Sequence, residues 1–268
     1  MLWNIKNGKV KLDKREMNYV SFGTGERSLI FLPGLSDGLT TVKGKALLLA
    51  KPYSIFFKKF TVYIFSRKNE MPEDYSIRDM ANDQGRAMDI LGIKNACIVG
   101  VSQGGMIAQY LAIYRPELID KLVLVVTSSC ANNMIKESIN KWIGYATRGE
   151  HKKLMIDTAE KSYSAGYFKK YELLYPILGI IGKPSNYDRF IINANAILDF
   201  DVSDNLKEIN CPTLVIGGDE DKVVGVQASY DIAEGIRNSA LYVYEGLGHS
   251  LYEEAKDFNQ RIFNFLQK

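Results

Sequence analysis

The chain has 268 residues, of which 46% are apolar, and this is enough for one large domain with a buried core. Its 34 basic and 31 acidic residues leave a formal charge of +3. This balance, and the lack of a basic stripe with interleaved aromatic residues in the sequence, argue against a dedicated nucleic-acid surface. Because no stretch reaches about 18 apolar residues and the first residues lack a signal-peptide core, we expect a cytoplasmic protein without stable membrane insertion.

The first part of the chain alternates between strand-like and helix-like segments. Residues 15–22 alternate in polarity, and residues 28–32 form a continuous apolar run. These patterns predict a half-buried strand followed by a fully buried one. Residues 41–57 have helical spacing with an interruption at Pro52, and residues 60–65 predict the next strand.

The same alternation continues through the middle of the chain. Residues 76–91 predict a helix that Ser76 caps at its start and Gly92 ends. Two further apolar runs, 96–100 and 122–126, flank another helical segment. Strands that alternate with helices at this spacing predict a parallel sheet with right-handed crossovers.

The strand pattern is interrupted between residues 134 and 200. This segment has no strand-like run, and its helical stretches break near Gly149, Gly166, Pro176 and Pro184. The remaining elements are two strands and a terminal helix, at 212–216, 240–244 and 253–267. We therefore predict an α/β core of residues 1–133 and 201–268 that carries a helical cap insertion over 134–200.

The most informative motif is Gly100-Val101-Ser102-Gln103-Gly104-Gly105. It lies between a predicted strand and a predicted helix, which is the setting of a nucleophile elbow. In such a turn the serine has a strained backbone and an exposed hydroxyl. A Cβ at Gly100 or Gly104 would collide with the neighbouring strand or helix. Ser102 is therefore the candidate nucleophile.

A serine hydroxyl needs a base to accept its proton and an acid to orient that base. The chain has two histidines. His249 lies in a glycine-flanked loop after the last predicted strand, which favours it as the base. His151 lies in a polar stretch of the insertion, which is typical of a surface or packing residue.

The acid is expected between the serine and the histidine, on a loop at the carboxyl end of a strand. The loop after residues 212–216 offers Asp219, Glu220 and Asp221. Asp219 is placed to shape the turn through local backbone amides, so we favour Asp221, which lies further into the loop. Residues 127–133, after the preceding strand, contain no carboxylate, which weakens that alternative position.

Attack on a carbonyl group creates an oxyanion that needs two preorganised N–H donors. We predict the backbone of Gln103, at the start of a helix, as the first donor. The second is expected in the loop after residues 28–32. Since Pro33 has no N–H, the candidates there are Gly34 and Leu35, and we choose Leu35.

The insertion is rich in aromatic residues, namely Trp142, Tyr145, Tyr163, Tyr167, Phe168, Tyr171, Tyr175, Tyr187 and Phe190. We expect the insertion to form a lid over Ser102, with an aromatic pocket that suits an apolar acyl or aryl group. For each ring, the alternative is packing within the insertion or at an oligomer interface.

With these residues in place, the chain resembles the α/β-hydrolase superfamily. It is most similar to the capped group that contains cofactor-free haloperoxidases or perhydrolases, esterases and carbon–carbon hydrolases. The resemblance is carried by residues 32–35, 78–83, 100–105, 218–221 and 248–249.

The resemblance implies a mostly parallel eight-stranded sheet flanked by helices, with Ser102 as nucleophile, His249 as base and Asp221 as acid. The family's spacing of Gly, two residues and Asp supports Asp221 over Asp219. The chain departs from the family at Pro33, where a histidine is usual. Asp37 nearby leads us to expect that anionic substrates are disfavoured.

The function we expect is hydrolysis of a small, apolar carboxylic ester through an acyl-enzyme. Peroxide or an alcohol as acceptor, cleavage of a carbon–carbon bond, and a non-catalytic small-molecule receptor stay open as alternatives. We expect no cofactor, because no metal, nucleotide or flavin motif occurs and the three cysteines match no zinc spacing. The expected partner is a small-molecule substrate, and the sequence leaves open whether the protein forms a homo-oligomer.

Overall fold

The computed structural model describes residues 3–171, 177, 179 and 182–268. Its centre is an eight-stranded sheet with the strand order β1-β2-β4-β3-β5-β6-β7-β8. The strands are β1 Lys6–Leu12, β2 Arg15–Phe22, β3 Arg27–Leu32, β4 Phe60–Lys68, β5 Ala96–Val101, β6 Ile119–Val125, β7 Thr213–Gly218 and β8 Ser239–Tyr244.

The sheet is parallel from β4 to β8, and only the pairings of β2 with β1 and with β4 are antiparallel. This confirms the predicted fold class of an α/β protein with a mostly parallel eight-stranded sheet. The sequence pattern missed β1, whose residues KNGKVKL are largely polar. An exposed edge strand with lysines avoids pairing with other chains, and it therefore lacks the apolar signal of a buried strand.

The helices are α1 Ala46–Ala50, α2 Ile77–Ile90, α3 Gln103–Tyr114, α4 Asn133–Thr147, α5 His151–Ser162, α6 Ala165–Tyr171, α7 Asp188–Leu198, α8 Val226–Gly235, α9 Leu251–Glu254 and α10 Phe258–Gln267. Helix α2 begins as predicted, because the Ser76 side chain and Asp79 form a reciprocal capping box.

Two predicted helices differ from those in the structure. The helix expected over 41–57 is the short α1 followed by a 3-10 turn at Lys51–Phe56, into which Pro52 fits at the start. The expected terminal helix is split into α9 and α10. The break predicted near Gly166 is confirmed, because α5 ends at Ser162 and α6 begins at Ala165. The break expected near Pro176 lies outside the described residues.

Both faces of the sheet are buried, as expected for parallel strands. Ile98, Leu122 and Leu124 belong to the apolar cluster on one face, and Val99 and Val123 belong to the cluster on the other. This alternation leaves the carboxyl ends of the strands as the edge where loops can carry polar side chains.

Helices α4 to α7 lie between β6 and β7 in the chain, and we call the residues from 134 to 200 the insertion. Helix α7 packs on α4 and on the 3-10 turn at Leu35–Gly38, which follows β3. The insertion thus contacts the core at the edge where the strands end. Among the described residues, no helix has the length and apolar character needed to cross a membrane.

Candidate active site

Ser102 lies in a tight turn between the end of β5 and the start of α3. Its φ of 52° and ψ of −120° place it in the strained region that an elbow requires. A Cβ on Gly100 would come within 2.5 Å of the Gly104 carbonyl oxygen, and one on Gly104 within 1.9 Å of the Leu32 carbonyl oxygen. The structure therefore confirms that both glycines are needed for the close approach of strand and helix.

Ser102, His249 and Asp221 form one hydrogen-bonded chain, although they come from three separate loops. His249 Nε2 lies 2.9 Å from Ser102 Oγ, and His249 Nδ1 lies 2.8 Å from Asp221 Oδ2. His249 and Asp221 are buried at 7% and 6% exposure, so water competes little with these bonds. Such an arrangement can transfer the serine proton to the imidazole while the carboxylate holds the ring in place.

The loop after β7 fixes Asp221 through its other carboxylate oxygen. Asp221 Oδ1 accepts hydrogen bonds from the N–H groups of Val223 and Val224, at 2.8 and 2.9 Å. Burial acts to raise the pKa of Asp221, but His249 and these N–H donors outweigh burial, and the pKa is lowered. The carboxylate is thus held in its charged form beside the imidazole.

Asp219 was expected to bond the local backbone amides of its own turn, but its side chain instead reaches a loop 27 residues away in the chain. Its Oδ1 accepts a hydrogen bond of 2.7 Å from the N–H of Gly246, and its side chain is exposed. This bond ties the loop after β7 to the loop that carries His249. Asp219 therefore supports the arrangement from outside the hydrogen-bonded chain.

The two predicted oxyanion donors, Leu35 and Gln103, each stand at the first position of a helical segment. The N–H of such a residue has no acceptor within its own helix. The loop before Leu35 lies close to the serine, because a Cβ built on Gly34 would be 3.8 Å from Ser102 Oγ. Gln103 directly follows Ser102 in the chain, and the role of both N–H groups as oxyanion donors stays a prediction.

A cavity of about 320 Å³ opens onto Ser102 and His249. It is lined by core residues and by residues of α4 and α5, among them Leu35, Trp142, Met155, Ala159, Tyr163, Tyr252 and Glu253. Of the aromatic residues expected to form a pocket, Trp142 and Tyr163 line this cavity. Phe190 instead packs in the core, Tyr187 lies beside His151, and Tyr175 lies outside the described residues.

His151 is buried at 4% exposure, with its ring centroid 6.0 Å from that of Tyr187. It is not among the described residues that line the cavity. The packing role expected from its sequence context therefore matches its position, although it is less exposed than a surface residue would be.

A buried polar cluster that the sequence did not predict lies behind the serine. We call it the Arg67 cluster; its members are Asp37, Arg67, Gln103, Arg189 and Asn193. Arg67 Nη2 donates to Gln103 Oε1 at 2.9 Å, and Gln103 Nε2 donates to the carbonyl oxygen of Asn193 at 2.6 Å. These bonds hold the Gln103 side chain between β4 and α7, so its backbone N–H is fixed next to Ser102.

Asp37 is the counter-charge of this cluster. Its Oδ2 accepts hydrogen bonds from Arg189 Nη2 at 2.7 Å and from the backbone N–H of Arg67 at 2.9 Å. Burial lowers the pKa of Arg67 to about 10, against the opposing effect of Asp37. Asp37 is not among the described residues that line the cavity, so the expectation that it disfavours anionic substrates loses its structural basis.

Replacing Asp37 by asparagine is expected to lower the free energy of unfolding by about 3–5 kcal/mol, because it leaves buried guanidinium charge without a counter-charge. Denaturant unfolding monitored by circular dichroism measures the change. Asp13→Asn is the matched control, since Asp13 pairs with Arg86 at the surface, where ion pairs contribute little. If both substitutions lowered the free energy of unfolding equally, the Arg67 cluster would contribute no more to stability than a surface ion pair.

No group of three or more His, Cys, Asp or Glu side chains suited to a metal ion occurs in the part of the chain that the structure describes. The polar groups around Ser102 are instead arranged for proton transfer. The arrangement can activate a hydroxyl and stabilise a negative oxygen.

Comparison with known proteins matches residues 63–256 to a family profile described as the alpha/beta hydrolase fold. The chain is 25% identical over 276 residues to the 2-hydroxy-6-oxononadienedioate/2-hydroxy-6-oxononatrienedioate hydrolase 2 of Pseudomonas putida, covering 98% of this chain and 94% of that protein. It is 28% identical over 206 residues to the AB hydrolase superfamily protein YisY of Bacillus subtilis, and the match covers 72% of this chain and 74% of that protein.

Solved structures of the same fold match almost the whole chain. MGS-M2, an alpha/beta hydrolase enzyme from a Medee basin deep-sea metagenome library, superposes with a TM-score of 0.82 at 22% identity, covering 97% of this chain and 98% of that one. The enol-lactonase from Burkholderia xenovorans LB400 superposes with a TM-score of 0.78 at 20% identity, and the match covers 97% of this chain and 100% of that one.

Proposed function

Since this chain belongs to the alpha/beta hydrolase family, we propose that it is a serine hydrolase that cleaves a small carboxylic ester through an acyl-enzyme. The observation that carries the proposal is the hydrogen-bonded chain from Ser102 Oγ through His249 to Asp221, at 2.9 and 2.8 Å. In this proposal Ser102 is the nucleophile, His249 the general base and Asp221 the acid that orients the base.

In the first half-reaction, Ser102 Oγ attacks the ester carbonyl carbon as its proton passes to His249 Nε2. The tetrahedral intermediate collapses, and the leaving alkoxide takes the proton from Nε2 and departs as the alcohol. In the second half-reaction a water molecule attacks the acyl-enzyme with His249 again as base. The carboxylic acid leaves and the Ser102 hydroxyl is restored.

The negative oxygen of each tetrahedral intermediate would be stabilised by the N–H groups of Leu35 and Gln103. Donors of this kind contribute about 10²- to 10³-fold to kcat each in comparable sites. The Arg67 cluster supports this assignment, because it fixes the Gln103 side chain and, through Asp37, the 3-10 turn that begins at Leu35.

The insertion is proposed to act as the cap of the site. Trp142 of α4 and Met155 and Ala159 of α5 supply apolar lining to the cavity over Ser102. A cavity of about 320 Å³ lies at the small end of the usual range for ligand sites, which favours a short acyl chain.

The dicarboxylate named for the Pseudomonas putida relative is not the substrate we propose. The described residues that line the cavity include Glu253 and neither lysine nor arginine. A second carboxylate in the substrate would therefore meet a like charge without a cation to pair with.

The experiment that tests the proposal is hydrolysis of p-nitrophenyl esters from acetate to octanoate by the purified protein. We expect turnover with an optimum at short chains, since the described cavity of about 320 Å³ lies at the small end of the range for ligand sites. An optimum at octanoate would overturn the short-chain assignment. Absence of turnover on the whole series by folded protein would overturn ester hydrolysis and favour cleavage of a carbon–carbon bond or a binding role.

A further inference from the structure

The described lining of the cavity combines aromatic rings with one carboxylate. Trp142, Tyr163, Tyr252 and Glu253 all line the cavity that contains Ser102 and His249. Tyr163 donates its hydroxyl proton to Glu253 Oε2 at 2.6 Å, which holds the carboxylate on the cavity side of α9. Trp142 is held in turn by a 2.8 Å bond from its Nε1 to Asp157.

Glu253 is exposed and faces the cavity without a lysine or arginine among the described lining residues. The nearby cation Lys161 of α5 is not among the described lining residues, and its ammonium group donates to Ser138 Oγ at 2.9 Å. Glu254, the neighbour of Glu253, accepts the N–H and the hydroxyl of Ser164 and does not line the described cavity.

The aromatic side chains of the cavity, like the carboxylate of Glu253, favour a cationic group. Burial, and then the charge of Glu253, raises the pKa of Tyr163 and of Tyr252, so both remain neutral phenols. The faces of such rings and of the Trp142 indole carry a negative quadrupole that attracts cations. A carboxylate has room for further contacts beyond the one bond from Tyr163.

We propose that the cavity selects esters with a cationic ammonium group, with Glu253 as counter-charge and Trp142, Tyr163 and Tyr252 as aromatic walls. The proposal rests on the proposed ester hydrolysis for its catalytic consequence, and its binding consequence can be measured without turnover. The alcohol part of the ester would carry the ammonium group and leave as an amino alcohol.

The binding test uses choline and its neutral isostere 3,3-dimethylbutan-1-ol. Trp142 lines the cavity and the chain has one other tryptophan, Trp3, so its fluorescence in a Trp3→Phe background reports occupancy. We expect choline to bind about fivefold more tightly than the isostere, from a partly exposed ion pair and ring contacts. Equal affinities would overturn the proposal whether or not the protein hydrolyses esters.

The turnover test compares acetylcholine with 3,3-dimethylbutyl acetate in the wild type, in Glu253→Gln and in Glu254→Gln. We expect kcat/KM to favour acetylcholine about fivefold in the wild type, mainly through KM, and less at high salt. The ratio should fall to about one in Glu253→Gln and persist in Glu254→Gln, which removes the same charge one residue away.

Three results of the turnover test have separate meanings. A ratio unchanged in Glu253→Gln would overturn the role of that carboxylate. Equal rates on both esters in the wild type would overturn the cationic preference and leave the proposed ester hydrolysis standing. If neither ester is cleaved, the proposed hydrolysis fails, and the choline titration still decides the binding preference.

Discussion

Replacing Ser102 by alanine is expected to lower kcat for p-nitrophenyl acetate by about 10⁴- to 10⁶-fold. The reason is that Ser102 Oγ is the group hydrogen-bonded to His249 Nε2, at 2.9 Å, and no acyl-enzyme can form without it. The residual rate should reflect the N–H donors of Leu35 and Gln103 and substrate binding alone, because both survive the substitution. Steady-state release of p-nitrophenolate measures the change.

Ser36→Ala is the matched control for this substitution. Ser36 also lines the cavity, and its exposed side chain has no part in the hydrogen-bonded chain to His249. We expect Ser36→Ala to retain kcat within about threefold, because its hydroxyl takes no part in the proton transfer between Ser102 and His249. Comparable turnover by the wild type and Ser102→Ala, with both folded, would show that the serine is not the nucleophile.

The parts of the site that the sequence predicted are those with local signals. The elbow around Ser102 depends on Gly100 and Gly104, which stand within two residues of it and have contacts that glycine alone allows. His249 and Asp221 follow strands at the carboxyl edge of the sheet, so chain order, the glycine-flanked loop of His249 and the family's Gly-x-x-Asp spacing suggested them. The structure places all three side chains in one hydrogen-bonded chain, and their catalytic roles stay predictions.

The Arg67 cluster could not be predicted in the same way. Arg67 lies 30 residues from Asp37 and 36 from Gln103 in the chain, and Gln103 lies 90 from Asn193. No periodicity links residues at such separations, because the pairing follows from the sheet order and from where α7 docks. The local signal was a charged pair, Arg67 and Lys68, at the end of a strand whose first six residues are mostly apolar.

The same limit applies to the fold. The buried strand β5 carries a continuous apolar run and was predicted to within one residue of its observed bounds. The apolar run of β6 was also predicted, but this strand begins three residues earlier, at Ile119, and its start was missed because Asp120 and Lys121 interrupt the apolar pattern. The edge strand β1 was missed, because its pairing with β2 depends on backbone hydrogen bonds and its side chains are mostly exposed. The pairing of Tyr163 with Glu253, which lie 90 residues apart, likewise needed the packed structure.

Replacing Asp221 by asparagine is expected to lower kcat by about 10⁴-fold while leaving KM nearly unchanged. Asp221 Oδ2 accepts the Nδ1 proton of His249 at 2.8 Å, which leaves Nε2 free to accept the serine proton. An amide that turns its NH₂ group toward Nδ1 would favour the opposite tautomer, with the proton on Nε2. The imidazole could then no longer act as base toward Ser102.

Asp219→Asn tests the alternative acid that the sequence left open. Asp219 accepts the N–H of Gly246 at 2.7 Å, and asparagine can accept the same bond through its carbonyl oxygen, so we expect kcat within about threefold of the wild type. If Asp219→Asn lost more activity than Asp221→Asn, the acid would have to be reassigned. If neither substitution lowered kcat, His249 would act without an orienting carboxylate, and the buried contact with Asp221 would serve stability alone.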